Sequence, residues 1–297
     1  MIKLNSSPLE KRFFKNDTFY IKRDDLLHPD FSGNKARKFD YFLNHDFSHI
    51  KRVVSYGSNQ SNAMYSLSVL AKENGWEFIY FCNHIPGFLK NTPVGNYKAA
   101  LKNGMKIYEV EDRYKEANSL KDETTLVIQE GGRQKEAEYG IKKLALELLE
   151  DIKRENLKNP LVYLTSGTGT TALFLQKHLP FRVYTCATVG DDEYLKKQFK
   201  ELGEERFYPT ILGSTKKYHY GKLYKEIFDI WFELKEQMGL EFDLMYDGVG
   251  WLKLLENRQK LEGEIIFIHQ GGILGNESMI QRYKRKYGKI DKKLEDL

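Results

Sequence analysis

The sequence predicts an α/β protein whose parallel sheets are covered by helices. Short β-rich runs alternate with longer helical patterns along the chain, the pattern that builds βαβ units. Three glycine-bearing segments, YGSNQSN, TSGTGTT and HQGG, each follow a strand-like run. In such sheets the carboxyl ends of strands are where ligands bind, so the three loops converge on one crevice if their strands are neighbours. No internal repeat, low-complexity tract or long linker interrupts the pattern. A chain of 297 residues with 41% hydrophobic and 30% charged residues has material for one large domain or two smaller ones.

The elements read in order. The run 53–57 (VVSYG) is a strand and 61–75 a helix closed by Gly75. EFIYFCNH is a strand. Pro93 sits where a first helical turn begins, and that helix runs to Gly104. KIYEVE and TTLVIQEGG are strands, and KEAEYGIKKLALELLEDIKRE is a long amphipathic helix. LVYLTSGTGTT is a strand running into a glycine loop, TALFLQKHL its helix and RVYTCATVG the next strand. Helices near 222–239 and 250–261, the strand EIIFIHQGG and a terminal helix complete the order.

Composition excludes several classes. No apolar run approaches the roughly 20 residues of a membrane span. The start, MIKLNSSPLEKRFFKN, has no apolar block after its charges, so no secretory signal is expected. Cys82 and Cys186 lie in apolar strand-like runs and read as reduced core residues, which places the protein in the cytoplasm. The net charge of +5 permits an anionic ligand without arguing for nucleic acid. The basic tail QRYKRKYGKIDKK reads as a solvated helix end. Among seven histidines, His45 and His49 are i, i+4 with no third ligand nearby, so no metal site is expected. Phe228, Trp231 and Phe232 lie at helical spacing and read as core.

Chemistry concentrates in three places. In TSGTGTT two glycines turn the chain tightly and a helix begins with threonines. Free N–H groups, hydroxyls and the helix dipole together make a phosphate cup. It is neither a Walker A loop, since Thr170 stands where the lysine belongs, nor GxGxxG. In YGSNQSN, Ser61 or Asn62 reads equally as an ordinary N-cap. In FSGNKARKFDYFL, Lys35 follows Gly-Asn at a helix start. A lone lysine there is usually solvated, and a reactive amine needs burial to lower its pKa.

Together the segments resemble the β-family, or fold type II, of pyridoxal-phosphate enzymes, and within it 1-aminocyclopropane-1-carboxylate deaminases and D-cysteine desulfhydrases. The family's K-R-x-D followed by G-G-N-K-x-R-K is here IKRDDLLHPDFSGNKARK, and its G-x-x-Q-S-N is GSNQSN. EGGRQKEAEYG is similar to P-E-G-G-x-N, and FIHQGGILG to H-T-G-G-x-P-G. The resemblance runs in order from Tyr20 to Gly275. It implies two open twisted, mostly parallel-sheet domains with pyridoxal 5'-phosphate in the cleft between them. Residues 48–158 would form the small domain, and 1–47 with 159–297 the large one. A homodimer is expected, acting on a small amino acid.

The resemblance also implies roles. Lys35 matches the Schiff-base lysine and the base at Cα. Lys38 matches a contact to the cofactor phosphate, and Asn62 a contact to its ring hydroxyl. Ser61 matches a serine near the substrate carboxylate. Gly167, Thr168, Gly169, Thr170 and Thr171 match the phosphate loop, and Tyr246 an active-site tyrosine. Departures matter as well. Ala63 and Met64 follow Q-S-N where the family has His or Gln and then Thr-Arg, and Val249 stands where Y-x-G-K has lysine. Gln270 replaces the threonine of H-T-G-G, at a position expected near the pyridine nitrogen. The implied reaction is elimination or ring opening to a 2-oxo acid and ammonia, with D-cysteine the less demanding substrate. The rivals are a racemase or β-replacement synthase, and a pyridoxal-phosphate-binding protein without turnover.

Overall fold

The computed structural model describes residues 2–203 and 208–288. Its strands form two sheets. The larger has the order β1 (Leu9–Phe14), β2 (Asp17–Lys22), β10 (Glu264–Ile268), β7 (Pro160–Ser166), β8 (Val183–Ala187), β9 (Thr210–Ile211). All its pairings are parallel except β1 with β2. The smaller, all parallel, has the order β5 (Lys106–Glu109), β4 (Glu77–Cys82), β3 (Arg52–Tyr56), β6 (Thr125–Ile128). The central strands are nearly continuous apolar runs, as both-faced burial requires.

Each sheet is covered on both faces. α9 (Lys225–Met238) and α10 (Asp247–Asn257) pack on one face of the larger sheet, where Trp251 stacks on Phe267 at 4.6 Å. α6 (Ala137–Arg154), α7 (Thr170–His178) and α8 (Asp192–Leu202) cover the other. α1 (Gly33–Asn44), α2 (Asn62–Asn74) and α4 (Gly95–Lys102) share the core of the smaller sheet, and α5 (Arg113–Ser119) closes its far side. Two helices thus cross between the regions. α6 follows the small-sheet strands yet packs in the larger core, and α1 does the reverse. Buried ion pairs pin them together: Arg37 to Asp24 and Glu147, and Lys22 to Glu147 and Asp151. Removing one partner from such a network costs about 3–5 kcal/mol.

Several elements lie outside the sequence pattern. β1 joins β2 through Lys15 and Asn16, both at positive φ. That is a two-residue hairpin turn without the glycine that normally announces one. The short α3 (Gly87–Asn91), α5, α8 and β9 are likewise additional. α4 starts at Gly95, two residues past Pro93. α10 starts at Asp247 rather than near Gly250, because the Asp243 carboxylate accepts from the Met245 and Tyr246 N–H groups and opens the helix early. α11 (Asn276–Tyr287) carries the start of the basic tail, whose residues from 289 on lie outside those described. Cys82 and Cys186 are both free and buried. No described helix is long and apolar enough to cross a membrane.

Candidate active site

The loops after β3, β7 and β10 open on one cavity of about 370 Å³, which every residue singled out from the sequence lines: Lys35, Lys38, Ser61, Asn62, the segment 167–171, Tyr246 and Gln270. The α1 start that carries Lys35 is docked on the turn after β10. The Asn34 N–H donates to the Gln270 carbonyl at 3.0 Å. Gly33, at φ +67°, lies so close that a Cβ would meet that carbonyl oxygen at 1.9 Å, so only glycine fits. The Lys35 amine is enclosed in the cavity. Burial lowers its pKa to about 8, against the opposing pull of the Asp243 carboxylate. Lys38 is buried beside it, donating to the Gly131 carbonyl at 3.0 Å, and burial and then the nearby Lys35 hold its pKa well below the usual lysine range.

The cup after β7 turns at Gly169, whose φ of +74° makes it the left-handed cap residue of α7. No side chain caps this helix. The Thr168 and Thr170 hydroxyls lie 3.2 Å apart, and the buried Thr171 hydroxyl has no partner among the described residues. Lys38 and an uncapped helix start with free hydroxyls line one cavity and offer a seat for an anion.

At the α2 start the Ser61 hydroxyl accepts from the Ala63 and Met64 N–H groups, so the N-cap is real. Asn62 is held at both ends of its amide: Oδ1 accepts from Asn96 at 2.6 Å, and Nδ2 donates to Asp243 at 3.3 Å. Burial raises the Asp243 pKa to about 6.

The sequence reading passed over several residues of the same cavity. Asp247, 1% exposed, accepts from the Thr165 hydroxyl at 2.9 Å through Oδ1, while Oδ2 has no partner among the described residues. Burial, then the nearby Asp243, raises its pKa well above the carboxylate range. Gln270, by contrast, has its amide fully engaged with Thr165 and Asn34. A ring nitrogen in this cavity would meet its free polar atom at Asp247. Two carboxylates four residues apart amid apolar neighbours, FDLMYDG, were the available signal. Tyr220 brings its hydroxyl to 2.9 Å from that of Tyr246. Burial and the neighbouring Tyr220 keep the Tyr246 hydroxyl protonated. No motif marks Tyr220, which lies on the long connection before α9. Arg113 and Glu130 pair at 3.0 Å and also line the cavity.

No protein-family model matches the chain. Among curated proteins it is 26% identical over 284 residues to a putative 1-aminocyclopropane-1-carboxylate deaminase of Thermotoga maritima, covering 86% of this chain and 89% of that one. It is 25% identical over 309 residues to a D-cysteine desulfhydrase of Serratia proteamaculans, covering 90% and 92%. Among solved structures, an ACC deaminase homologue superposes with a TM-score of 0.75 at 23% identity, covering 96% and 93%. A pyridoxal 5'-phosphate-dependent aspartate racemase superposes with 0.60 at 14%, covering 91% of each.

Proposed function

From a chain related over most of its length to 1-aminocyclopropane-1-carboxylate deaminases and D-cysteine desulfhydrases, with the fold of the β-family of pyridoxal-phosphate enzymes, we propose a pyridoxal-phosphate-dependent lyase. It releases ammonia from a small amino acid and leaves a 2-oxo acid, and D-cysteine is the substrate class we favour. The observation that carries the reading is the Lys35 amine, lowered by burial to about 8, in one cavity with an uncapped helix start and an unpartnered carboxyl oxygen.

The residues present fit the cofactor. Lys38, the α7 N–H groups and the 168–171 hydroxyls would hold its phosphate, Asn62 its ring hydroxyl and Asp247 its ring nitrogen. When bound, pyridoxal phosphate supplies a sink for the charge that develops at Cα. The Lys35 Nζ, neutral above about pH 8, accepts the Cα proton. The Tyr246 hydroxyl, kept protonated and hydrogen-bonded to Tyr220, donates to the departing thiolate. Ser61, whose oxygen accepts from two helix N–H groups and whose proton lies within reach of the Tyr80 oxygen, would turn that proton to the substrate carboxylate. D-cysteine asks least of this arrangement, since it needs one base and one acid about a good leaving group. The cyclopropane acid has no α-hydrogen and needs a nucleophile or acid placed at the ring.

The test is a screen of D- and L-amino acids with the cyclopropane acid, following cofactor absorbance, ammonia and sulfide together. Ammonia and sulfide from D-cysteine, exceeding ammonia from the cyclopropane acid, are expected. Racemisation without ammonia, or no turnover by cofactor-loaded protein, would overturn the reading.

A further inference from the structure

A continuous hydrogen-bond chain links Lys35 to Asp247. The Lys35 Nζ donates to Asn34 Oδ1 at 3.3 Å, and Asn34 Nδ2 donates to Gln270 Oε1 at 3.0 Å. Gln270 Nε2 then donates to both the carbonyl oxygen (2.7 Å) and the hydroxyl (2.9 Å) of Thr165. The Thr165 hydroxyl donates to Asp247 Oδ1 at 2.9 Å.

Chemistry fixes the direction of this chain at both ends. A backbone carbonyl can only accept, so the Gln270 NH₂ must face Thr165. A lysine ammonium can only donate, so the Asn34 carbonyl must face Lys35. Both N–H bonds of Gln270 are then engaged, and the Thr165 hydroxyl oxygen already receives one of them. Its own proton is left to point at Asp247. Without Gln270, the same hydroxyl is free to turn away from the carboxyl.

We propose that Gln270 is a positioning residue acting through Thr165: it holds the Thr165 hydroxyl as a donor to Asp247 Oδ1 and so favours the ionised carboxyl, the form in which the unpartnered Oδ2 is an acceptor. This rests on the cofactor reading, because Oδ2 is the atom assigned there to the ring nitrogen. The titratable groups facing Asp247 are Asp243 on the turn before it, Asp25, and Tyr163 and Cys186 on the strands beneath. Two contacts favour the ionised carboxyl, the Thr165 hydroxyl first and the Asp243 backbone second, so the Thr165 hydroxyl is the larger of them.

The test is infrared titration of the full chain without cofactor. The protonated-carboxyl stretch of Asp247 is identified by its loss in Asp247→Asn. A hydrogen bond to a charged group corresponds to roughly one to two pKa units. Thr165→Val, which keeps the side-chain shape, should raise the Asp247 midpoint by that amount, and Thr165→Ser should restore it. Gln270→Met should raise it by a smaller step in the same direction. Should that variant not fold, Gln270→Ala, which admits water, is read the same way. A Gln270 variant that melts earlier but leaves the midpoint unmoved would overturn the proposal, since a purely structural tie predicts that result. Titration of the wild-type chain with pyridoxal 5'-phosphate is run alongside: no binding there would overturn the cofactor reading while leaving the infrared result to stand or fall by itself.

Discussion

Two helix starts line the cavity, and in the sequence they look alike: a strand, a glycine, small polar residues, then a helix. At the α2 start the Ser61 hydroxyl accepts from two of its N–H groups. At the α7 start no side chain does so, Gly169 occupies the cap position, and the Thr171 hydroxyl is buried without a partner among the described residues. The first helix is finished by its own sequence, whereas the second is left open toward the cavity. An N-terminus that could have been capped but was not is the better ligand signal, because capping is worth about 1 kcal/mol. The α1 start is a third case: Ser32 makes no side-chain cap there, and the Asn34 N–H is met instead by the Gln270 carbonyl.

The largest expected effect sharpens the comparison at α1. Burial lowers the Lys35 amine from 10.5 to about 8, so its neutral, reactive fraction rises through pH 8 and then levels. Covalent capture of pyridoxal 5'-phosphate by the chain should therefore be half-maximal near pH 8. Below that pH the neutral fraction falls about tenfold per unit, roughly a hundredfold by pH 6. Stopped-flow absorbance across pH gives the profile. A rate still climbing past pH 10 would mean the capturing lysine is a solvated one.

Next in size is Thr171→Val. Replacing an unpartnered buried hydroxyl with a methyl group relieves the unbound protein of a desolvation cost. With the anion seated, the same change removes a hydrogen bond to a charged group, about 1.5–3 kcal/mol. Affinity for pyridoxal 5'-phosphate should drop roughly tenfold to hundredfold, while the cofactor-free protein melts at the same temperature or higher. Absorbance titration and calorimetry on one preparation read both. Lower stability with unchanged affinity would place Thr171 with Ser61 and erase the contrast.

What was legible in the sequence divides along the same line. The α/β alternation and the three glycine loops were readable because period and turn chemistry are local. The 167–171 cup and Ser61 follow glycines at strand ends, and Lys35 follows Gly33 at a helix start, so they were readable as well. Asp247 was not: what distinguishes it is an unshared oxygen, which depends on Thr165, 82 residues away in sequence. Gln270 lay at the right turn. Its amide, however, is committed to Thr165, which the adjacency of β10 and β7 supplies, and to Asn34, which the docking of the α1 start supplies. Tyr220 sits in an irregular connection with no period to mark it. β1 was hidden because its turn, Lys15-Asn16, takes positive φ without glycine.

The smallest effect is expected at Ser61, and it tests the finished helix start. Ser61→Ala removes the oxygen that accepts from Ala63 and Met64, which should cost about 1 kcal/mol of stability. Cofactor affinity and absorbance should not move, because Asn62 is fixed independently by Asn96 and Asp243. The remaining question is the Ser61 proton. If it serves the substrate carboxylate, its loss weakens ground state and transition state together, so KM rises and kcat holds. That proton also has the Tyr80 oxygen within reach, so the rise should stay within about tenfold, the low end of what one hydrogen bond to a charged group contributes. Melting and steady-state kinetics on one variant separate the cases. A collapsed kcat with KM unmoved would make Ser61 a proton carrier in the chemistry itself. Unchanged stability would show that the cap contributes nothing, and the two helix starts would then differ only in their glycine.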